Sequence, residues 1–379
     1  MRRKFGSWVI LSLMKPIQRA VYYCLLLPGM LVGCCELAAA QQTPAPAQQQ
    51  RPADSDPVPS PDGAAPAAPA NPGVAPAVPA GVVTNENGKY KLVTNAFEVR
   101  LNASVIDSSG KSVDSLPQSA FQVFEDGVPQ AIVGFRHEDL PVSLGLLIDS
   151  SGSMYDKRAA VDASSLDLVK LSNPKDEEFL VDFSSEAYID QDFTSDIAKL
   201  QQGLSYIKSS GGTALYDAVI ASADYLSKNG KQPKQVILII TDGDDNASAA
   251  SLEQTIRRVQ DLDGPAIYCI GLLFGEDVSR SEARHSREVL TELAEQTGGE
   301  AYFPKSLREV DGIAQQVAQD IRTQYTLEYH TTNSPANGGY RKIRVTATEK
   351  GFHNLQVRTR SGYFPHVPGA PEAASPDGK

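Results

Sequence analysis

Two stretches of this chain are nearly continuous aliphatic runs that stop on an acid: LGLLID, ending at Asp149, and QVILIITD, ending at Asp242. A strand that is apolar on both faces belongs in a parallel sheet covered by helices on both sides. The surrounding pattern agrees, since strand-like runs alternate with helical periods from Leu140 to Asp320. Strands are expected at Val142–Ile148, Glu178–Phe183, Ala187–Asp192, Gln235–Thr241, Ala266–Leu272 and, briefly, Glu300–Phe303. Amphipathic helices are expected where Leu215, Ala218, Val219, Ser222 and Leu226 share a face, where Leu252, Ile256 and Val259 do, and where Val310, Ile313, Ala314, Val317 and Ile321 do. The predicted architecture is α/β: a doubly wound, mostly parallel sheet with helices on both faces. Ligands of such sheets bind beyond the carboxyl ends of the central strands, which is where both acids fall.

The segments around the two acids are equally specific. Asp149 opens the pattern D-x-S-x-S with Ser151 and Ser153; Gly211-Gly212-Thr213 precedes a helix; Asp242 is followed by Gly243. Taken singly, each has a plain structural reading: Asp149 and Ser153 as helix caps, Thr213 as an N-cap, Asp242-Gly243 as a turn. Taken together and in order, the three segments resemble the metal-ion-dependent adhesion site of von Willebrand factor A-type domains. The flanking FQVFEDGVPQ, RKIRV and RSGYF, with TDGDDN inside the site, are similar to the von Willebrand factor A-related proteins exported by acidobacteria, and the resemblance spans about residues 95 to 365. It implies a divalent ion held by Asp149, Ser151, Ser153, Thr213 and Asp242, the acids acting directly or through water. The residue chemistry suits Mg²⁺, a hard cation that prefers oxygen ligands and keeps several waters; Mn²⁺ and Ca²⁺ also take such ligands. Asp244 and Asp245 read as a second-ion candidate or as solvated loop acids, the latter better supported.

The flanks of the α/β region are all-β. Phe97, Val99, Leu101, Ala103 and Val105 alternate with polar residues; AFQVFE leads into the turn Asp126-Gly127; QAIVGF comes next, with Ala131, Val133 and Phe135 expected on one face. After the α/β region come YTLEYH, RKIRVTAT and LQVRTRSGYF. Neither group has enough strands to close a core alone, so the two are expected to form one accessory β-sandwich with the α/β region inserted into it. Two small β-units packed separately is the other reading. The domain plan is thus a signal peptide at 1–40, a linker at 41–82, N-flanking strands at 90–138, the α/β domain at 140–322, C-flanking strands at 323–364 and a disordered tail at 365–379.

The first 40 residues pair a basic start with an interrupted apolar run, as a secretory signal does. Ala38 to Ala40 suits ordinary cleavage, whereas Leu31-Val32-Gly33-Cys34 resembles a lipobox that would put a lipid on Cys34. The Pro/Ala-rich linker cannot offset its ordering entropy and reads as a tether. Only Cys269 remains in the globular part, inside AIYCIG, so no disulfide framework is available and a small buried residue is expected there.

A formal net charge of -11 argues against nucleic acid as partner. None of the five histidines shows zinc-hydrolase spacing, and neither a phosphate-binding P-loop nor a G-x-S-x-G elbow is present. The charged stretch from Gly275 to Glu288 reads as a loop at the same sheet edge. The expectation is therefore a protein that is not an enzyme: an exported, periplasmic, envelope-bound or secreted adhesion-type module that recognises a carboxylate of a protein partner. Membrane contact would come only through an N-terminal lipid. The alternative is a structural envelope scaffold in which the metal merely fixes the domain.

Overall fold

The computed structural model describes residues 82–86, 89–93, 97–171, 173–275 and 279–365, all within one compact unit of the chain, Ala70–Lys379. The expected signal peptide with Cys34, all but the last residue of the linker and all but the first residue of the tail lie outside the described residues. The chain enters with an antiparallel hairpin, β1 (Val82–Glu86) and β2 (Lys89–Val93), ahead of the first strand that patterning predicts. Four strands come next: β3 (Glu98–Ile106), β4 (Phe121–Glu125), β5 (Val128–Gln130) and β6 (Ile132–Arg136). Asp126 and Gly127 join β4 to β5 at φ of 50° and 82°, the left-handed pair that a two-residue hairpin turn needs.

The α/β region then runs β7 (Val142–Asp149), α1 (Arg158–Leu171), β8 (Glu177–Phe183), β9 (Ala187–Thr194), α2 (Ile197–Tyr206), α3 (Leu215–Asn229) and β10 (Lys234–Thr241). It continues with α4 (Leu252–Asp261), β11 (Ala266–Gly271), α5 (Arg280–Thr297), β12 (Ala301–Tyr302) and α6 (Val310–Arg322). The six strands lie in the order β12-β11-β10-β7-β8-β9, parallel except for the antiparallel edge strand β9. Chain order reverses between β7 and β10, so the switch point of the sheet lies beyond Asp149 and Thr241.

Every residue of β7 is buried because both faces are covered. Leu144, Leu146 and Ile148 pack with Val161, Leu200 and Val317 from α1, α2 and α6; Leu147 packs with Leu215, Ile256 and Leu290 from α3, α4 and α5. Gly145 makes room for a ring, since a Cβ there would stand 2.6 Å from Phe179 Cζ. Cys269 is fully buried in β11, and burial pushes its thiol well above the usual range. Among the described residues no helix is long and apolar enough to cross a membrane.

The last strands, β13 (Tyr325–His330), β14 (Arg341–Ala347), β15 (Gln356–Arg358) and β16 (Gly362–Tyr363), complete two four-stranded sheets, β15-β3-β13-β6 and β16-β14-β4-β5. Each sheet pairs strands from before the α/β region with strands from after it, β3 with β13 and β4 with β14. Their inner faces share one core: Val99, Leu101, Phe121, Val123, Tyr325, Leu327, Ile343 and Val345 among others. The flanks thus form the single sandwich that strand counting requires.

Three flanking motifs meet inside that core. Glu125 of FQVFEDG accepts from Tyr329 (2.7 Å), Thr331 (2.6 Å) and Tyr363 (3.0 Å) and pairs with Arg341 of RKIRV at 3.2 Å. Arg341 also donates from its terminal nitrogens to the carbonyls of Asn333 and Ser334, while its Nε is buried without a partner.

Two sequence expectations are corrected. In β6, Val133 faces solvent at 55% exposure, while Ile132 and Phe135 pack on the core. The pairing of β6 with β13 slips between Glu328 and Tyr329, and that bulge turns two non-alternate residues inward. The charged stretch 275–288 is helical from residue 280 on: Ser279 opens α5 with a capping box to Glu282, so residues 280–288 are helix rather than loop.

Candidate functional site

Three loops meet at the switch point. The first leaves β7 and carries Asp149 to Met154; the second precedes α3 and carries Gly211 to Thr213; the third leaves β10 and carries Asp242 to Asn246. Backbone bonds lace them together: Ser210 N–H donates to Ser150 O (2.7 Å), Gly152 N–H to Gly211 O (3.4 Å) and Asn246 N–H to Thr213 O (2.9 Å). Gly211 sits at φ 84°, a left-handed position that favours glycine.

The side chains are set just as firmly. Asp149 is fully buried, accepting from Ser151 N–H (2.8 Å) and Thr241 Oγ1 (2.5 Å). Burial raises its pKa above the usual carboxylate range, the bonds from Ser151 and Thr241 lower it, and the nearby Asp242 carboxylate raises it further. Ser151 Oγ and Ser153 Oγ lie 3.1 Å apart, and Ser153 Oγ donates to Asp242 Oδ1 at 2.7 Å. Lys157 Nζ donates to the other oxygen, Asp242 Oδ2, at 2.6 Å. Ser150 points away, donating to Asp182 at 2.7 Å.

Thr213 is buried, and the bonds that hold it run to its backbone: its N–H donates to Asn246 Oδ1 at 2.9 Å, and its carbonyl accepts from Asn246 and Ala247. A Cβ on Gly243 would stand 3.9 Å from Thr213 Oγ1, which places that hydroxyl beside the Asp242 turn.

The expected residues Asp149, Ser151, Ser153, Thr213 and Asp242 are therefore brought to one edge. The capping alternatives do not describe them. The N-cap of α3 is Ala214 rather than Thr213, and α1 begins only at Arg158, well past Ser153. Nor are Asp244 and Asp245 solvated acids. Asp244 accepts from Ser286 of α5, and Asp245 accepts from Tyr216 N–H (3.0 Å) and Ser248 Oγ (2.5 Å), which fixes the third loop to α3.

Sequence reasoning missed Lys157, Thr241 and Asn246. Lys157 closes the turn between the 3-10 segment Gly152–Met154 and α1, and no sequence pattern marks its contact with Asp242. Thr241 and Asn246 lie at the two ends of the TDGDDN segment, but the sequence assigned them no role; they orient Asp149 and Thr213, and Asn246 also lines the cavity.

Asp242, Ser153, Thr213 and Lys157 open onto a cavity of about 550 Å³, also lined by Asp156, Asp244, Phe274 and Glu282. Two buried carboxylates and three hydroxyl groups meet here, with one ammonium beside them. The donor set is all oxygen, which suits a hard divalent cation. Among the described residues no group of three His, Cys, Asp or Glu side chains gathers to hold a metal, at this site or at another, so the donor set here rests on its hydroxyls as much as on its two acids.

Residues 144–244 match the family model of the von Willebrand factor type A domain. No curated protein matches the chain. Among solved structures, similarity is found to proximal thread matrix protein 1 from the mussel byssus, in a form described as having a zinc-occupied MIDAS motif, at 15% identity and a TM-score of 0.40, covering 52% of this chain and 50% of that one. A von Willebrand factor type A protein from Catenulispora acidiphila is similar at 12% identity and a TM-score of 0.40, covering 72% of this chain and 74% of that one. An aerotolerance-related membrane protein from Bacteroides fragilis NCTC 9343 is similar at 17% identity and a TM-score of 0.39, with 48% and 98% covered. The chain spans about half the length of the mussel protein. With the sheet order, the loop edge and the matched segment in agreement, the chain carries a von Willebrand factor type A domain.

Proposed function

We propose that the site holds a divalent cation, Mg²⁺ in the first instance, and that the protein is an exported binding module that captures a protein partner through an acidic residue. Asp149, Ser151, Ser153, Thr213 and Asp242 would hold the ion. The observation that carries the reading is the convergence of these oxygens at the switch point, with Lys157 seated on Asp242 as a cation already in place. When bound, the ion would offer an electron-poor position to an incoming carboxylate, because three of its protein ligands are neutral hydroxyls.

The chain's own residues do the rest. Thr241 and Ser151 N–H hold the Asp149 carboxylate in place, Asn246 aims Thr213 through its backbone, and Ser286 and Ser248 tie back the neighbouring acids. We read the site as binding rather than catalytic, because its fixed elements orient ligands and its described lining includes no histidine or cysteine. The basic, apolar N-terminus and the Pro/Ala tether support export and display away from a surface.

One observation favours the scaffold reading, in which the ion only fixes the loops: Asp156, Asp244 and Glu282 surround the opening and oppose a carboxylate. Capture from an envelope extract separates the two. The binding reading expects a partner retained with Mg²⁺ and lost both with EDTA and in Asp242→Ala, while the far-UV spectrum is kept. Retention in EDTA contradicts it.

A further inference from the structure

Lys157 is placed as no simple rim residue would be. It lies between Ser153 and the start of α1, and its ammonium donates to Asp242 Oδ2 at 2.6 Å. The two side chains are 14% and 0% exposed, so the pair is largely shielded from water. The ammonium also lies over the Phe274 ring, with Nζ 5.7 Å from its centroid. Asp242 has its other oxygen engaged by Ser153, so each carboxylate oxygen already has one partner, a hydroxyl and an ammonium.

Asp149 is treated differently. It is held by hydrogen bonds from neutral donors alone, Ser151 N–H and Thr241 Oγ1. Of the two site carboxylates, then, only Asp242 carries an internal counter-ion. Among the described residues lining the opening, Lys157 is the one cation, against Asp156, Asp242, Asp244 and Glu282.

We infer that Lys157 is a built-in competitor for the metal position: its ammonium neutralises Asp242, and an ion that takes Asp242 Oδ2 must displace it. This inference rests on the cation-site reading and adds to it a residue that sets affinity. Two cations held on one carboxylate oxygen repel each other, so the ammonium on Asp242 Oδ2 weakens the hold of an ion on the same carboxylate. The displaced ammonium has a place to go, because its four-carbon stem is flexible and the cavity beside it is lined by acids. There it offsets the negative rim that opposes an incoming carboxylate. A single side chain thereby links metal occupancy to the charge that a partner meets.

The test uses the full chain stripped of metal, with Mg²⁺ and Mn²⁺ as the probes. Lys157→Met keeps the length and apolar stem of the side chain and removes its charge. Metal uptake by calorimetry is expected to tighten by about tenfold or more, the scale of one charge-assisted hydrogen bond that no longer has to be broken. The metal-free Tm is expected to fall in the same variant, because Asp242 loses its counter-ion, and the rise in Tm on adding Mg²⁺ is expected to grow. A purely structural lysine would lower Tm without tightening metal uptake.

Amine acylation of the wild type, read by mass spectrometry, gives a second measurement independent of any variant: Lys157 should be protected without metal and labelled with it. If the wild type takes up the ion but Lys157→Met binds it no more tightly, the competitor role is overturned while the cation site stands. If neither protein takes up an ion, the cation site itself is overturned.

Discussion

Glu178 and Lys234 are buried near the amino ends of β8 and β10, at the sheet edge opposite the site. Burial, helped by Asp176 and Glu177, pushes the Glu178 carboxyl up to about 8; burial lowers Lys234 to about 8 against the pull of Asp139 and Asp176. Folded Glu178 keeps a proton that the unfolded chain releases near pH 4.3, so its contribution is fully present below that value and is lost as pH rises to about 8, at up to about 1.4 kcal/mol per pH unit. Above pH 8 the sign reverses for Lys234, because the unfolded chain then binds the extra proton until its own pKa near 10.4. Denaturant unfolding between pH 4.5 and 10 should therefore show these two contributions passing through a minimum near pH 8. Glu178→Gln should flatten the acid side of that minimum, and an unchanged slope would contradict the assignment.

The site shows what single residues disclose in sequence. Asp149, Ser151, Ser153, Thr213 and Asp242 were legible because each belongs to a short pattern tied to a strand end or a helix start. Lys157 was not, because its role depends on how the turn after Ser153 directs it back onto Asp242, a contact across 85 positions in the chain.

At the scale of elements, legibility tracked the apolar pattern. β7 and β10 are continuous aliphatic runs, and α3 and α6 carry full buried stripes, so their type was plain. α5 was missed because its first turns, RSEARHSRE, bury only Ser286; its apolar stripe begins at Val289. The capping box of Ser279 and Glu282 was the signal available. α2 buries only Leu200, Gly203 and Leu204, too few for a period to emerge. In β6 the alternation was real but the bulge opposite β13 was not visible, since register slips depend on the partner strand.

Gly145 is an element-scale constraint of the opposite kind, a gap that lets β7 and β8 share the Phe179 ring. Gly145→Ala places a methyl within 2.6 Å of Phe179 Cζ, inside the fully buried core. The expected loss is about 1–3 kcal/mol by urea unfolding, the range for overpacking a tight interior. A neutral result would mean that the ring has freedom to move that the packing around it does not suggest.

At the scale of the whole molecule, the α/β region leaves and re-enters a β-sandwich whose two sheets both need strands from each flank. The Glu125–Arg341 network ties the two flanks within the sandwich core. The sandwich also grips the α/β body: Arg358 pairs with Asp320 of α6 at 3.2 Å, and Gln260 of α4 donates to Ser361 at 3.2 Å. Strand counting made the sandwich legible, since neither flank could close a core alone. The contacts to α4 and α6 were not, as they involve polar side chains without a pattern.

The central claim is that five oxygen-bearing residues on three laced loops form one divalent-cation site. Calorimetric titration of the metal-free full chain with Mg²⁺ tests it most directly. One ion per chain is expected, with uptake abolished in Asp242→Ala and weakened in Ser153→Ala. No uptake by the wild type, or the same uptake in Asp242→Ala, would contradict it.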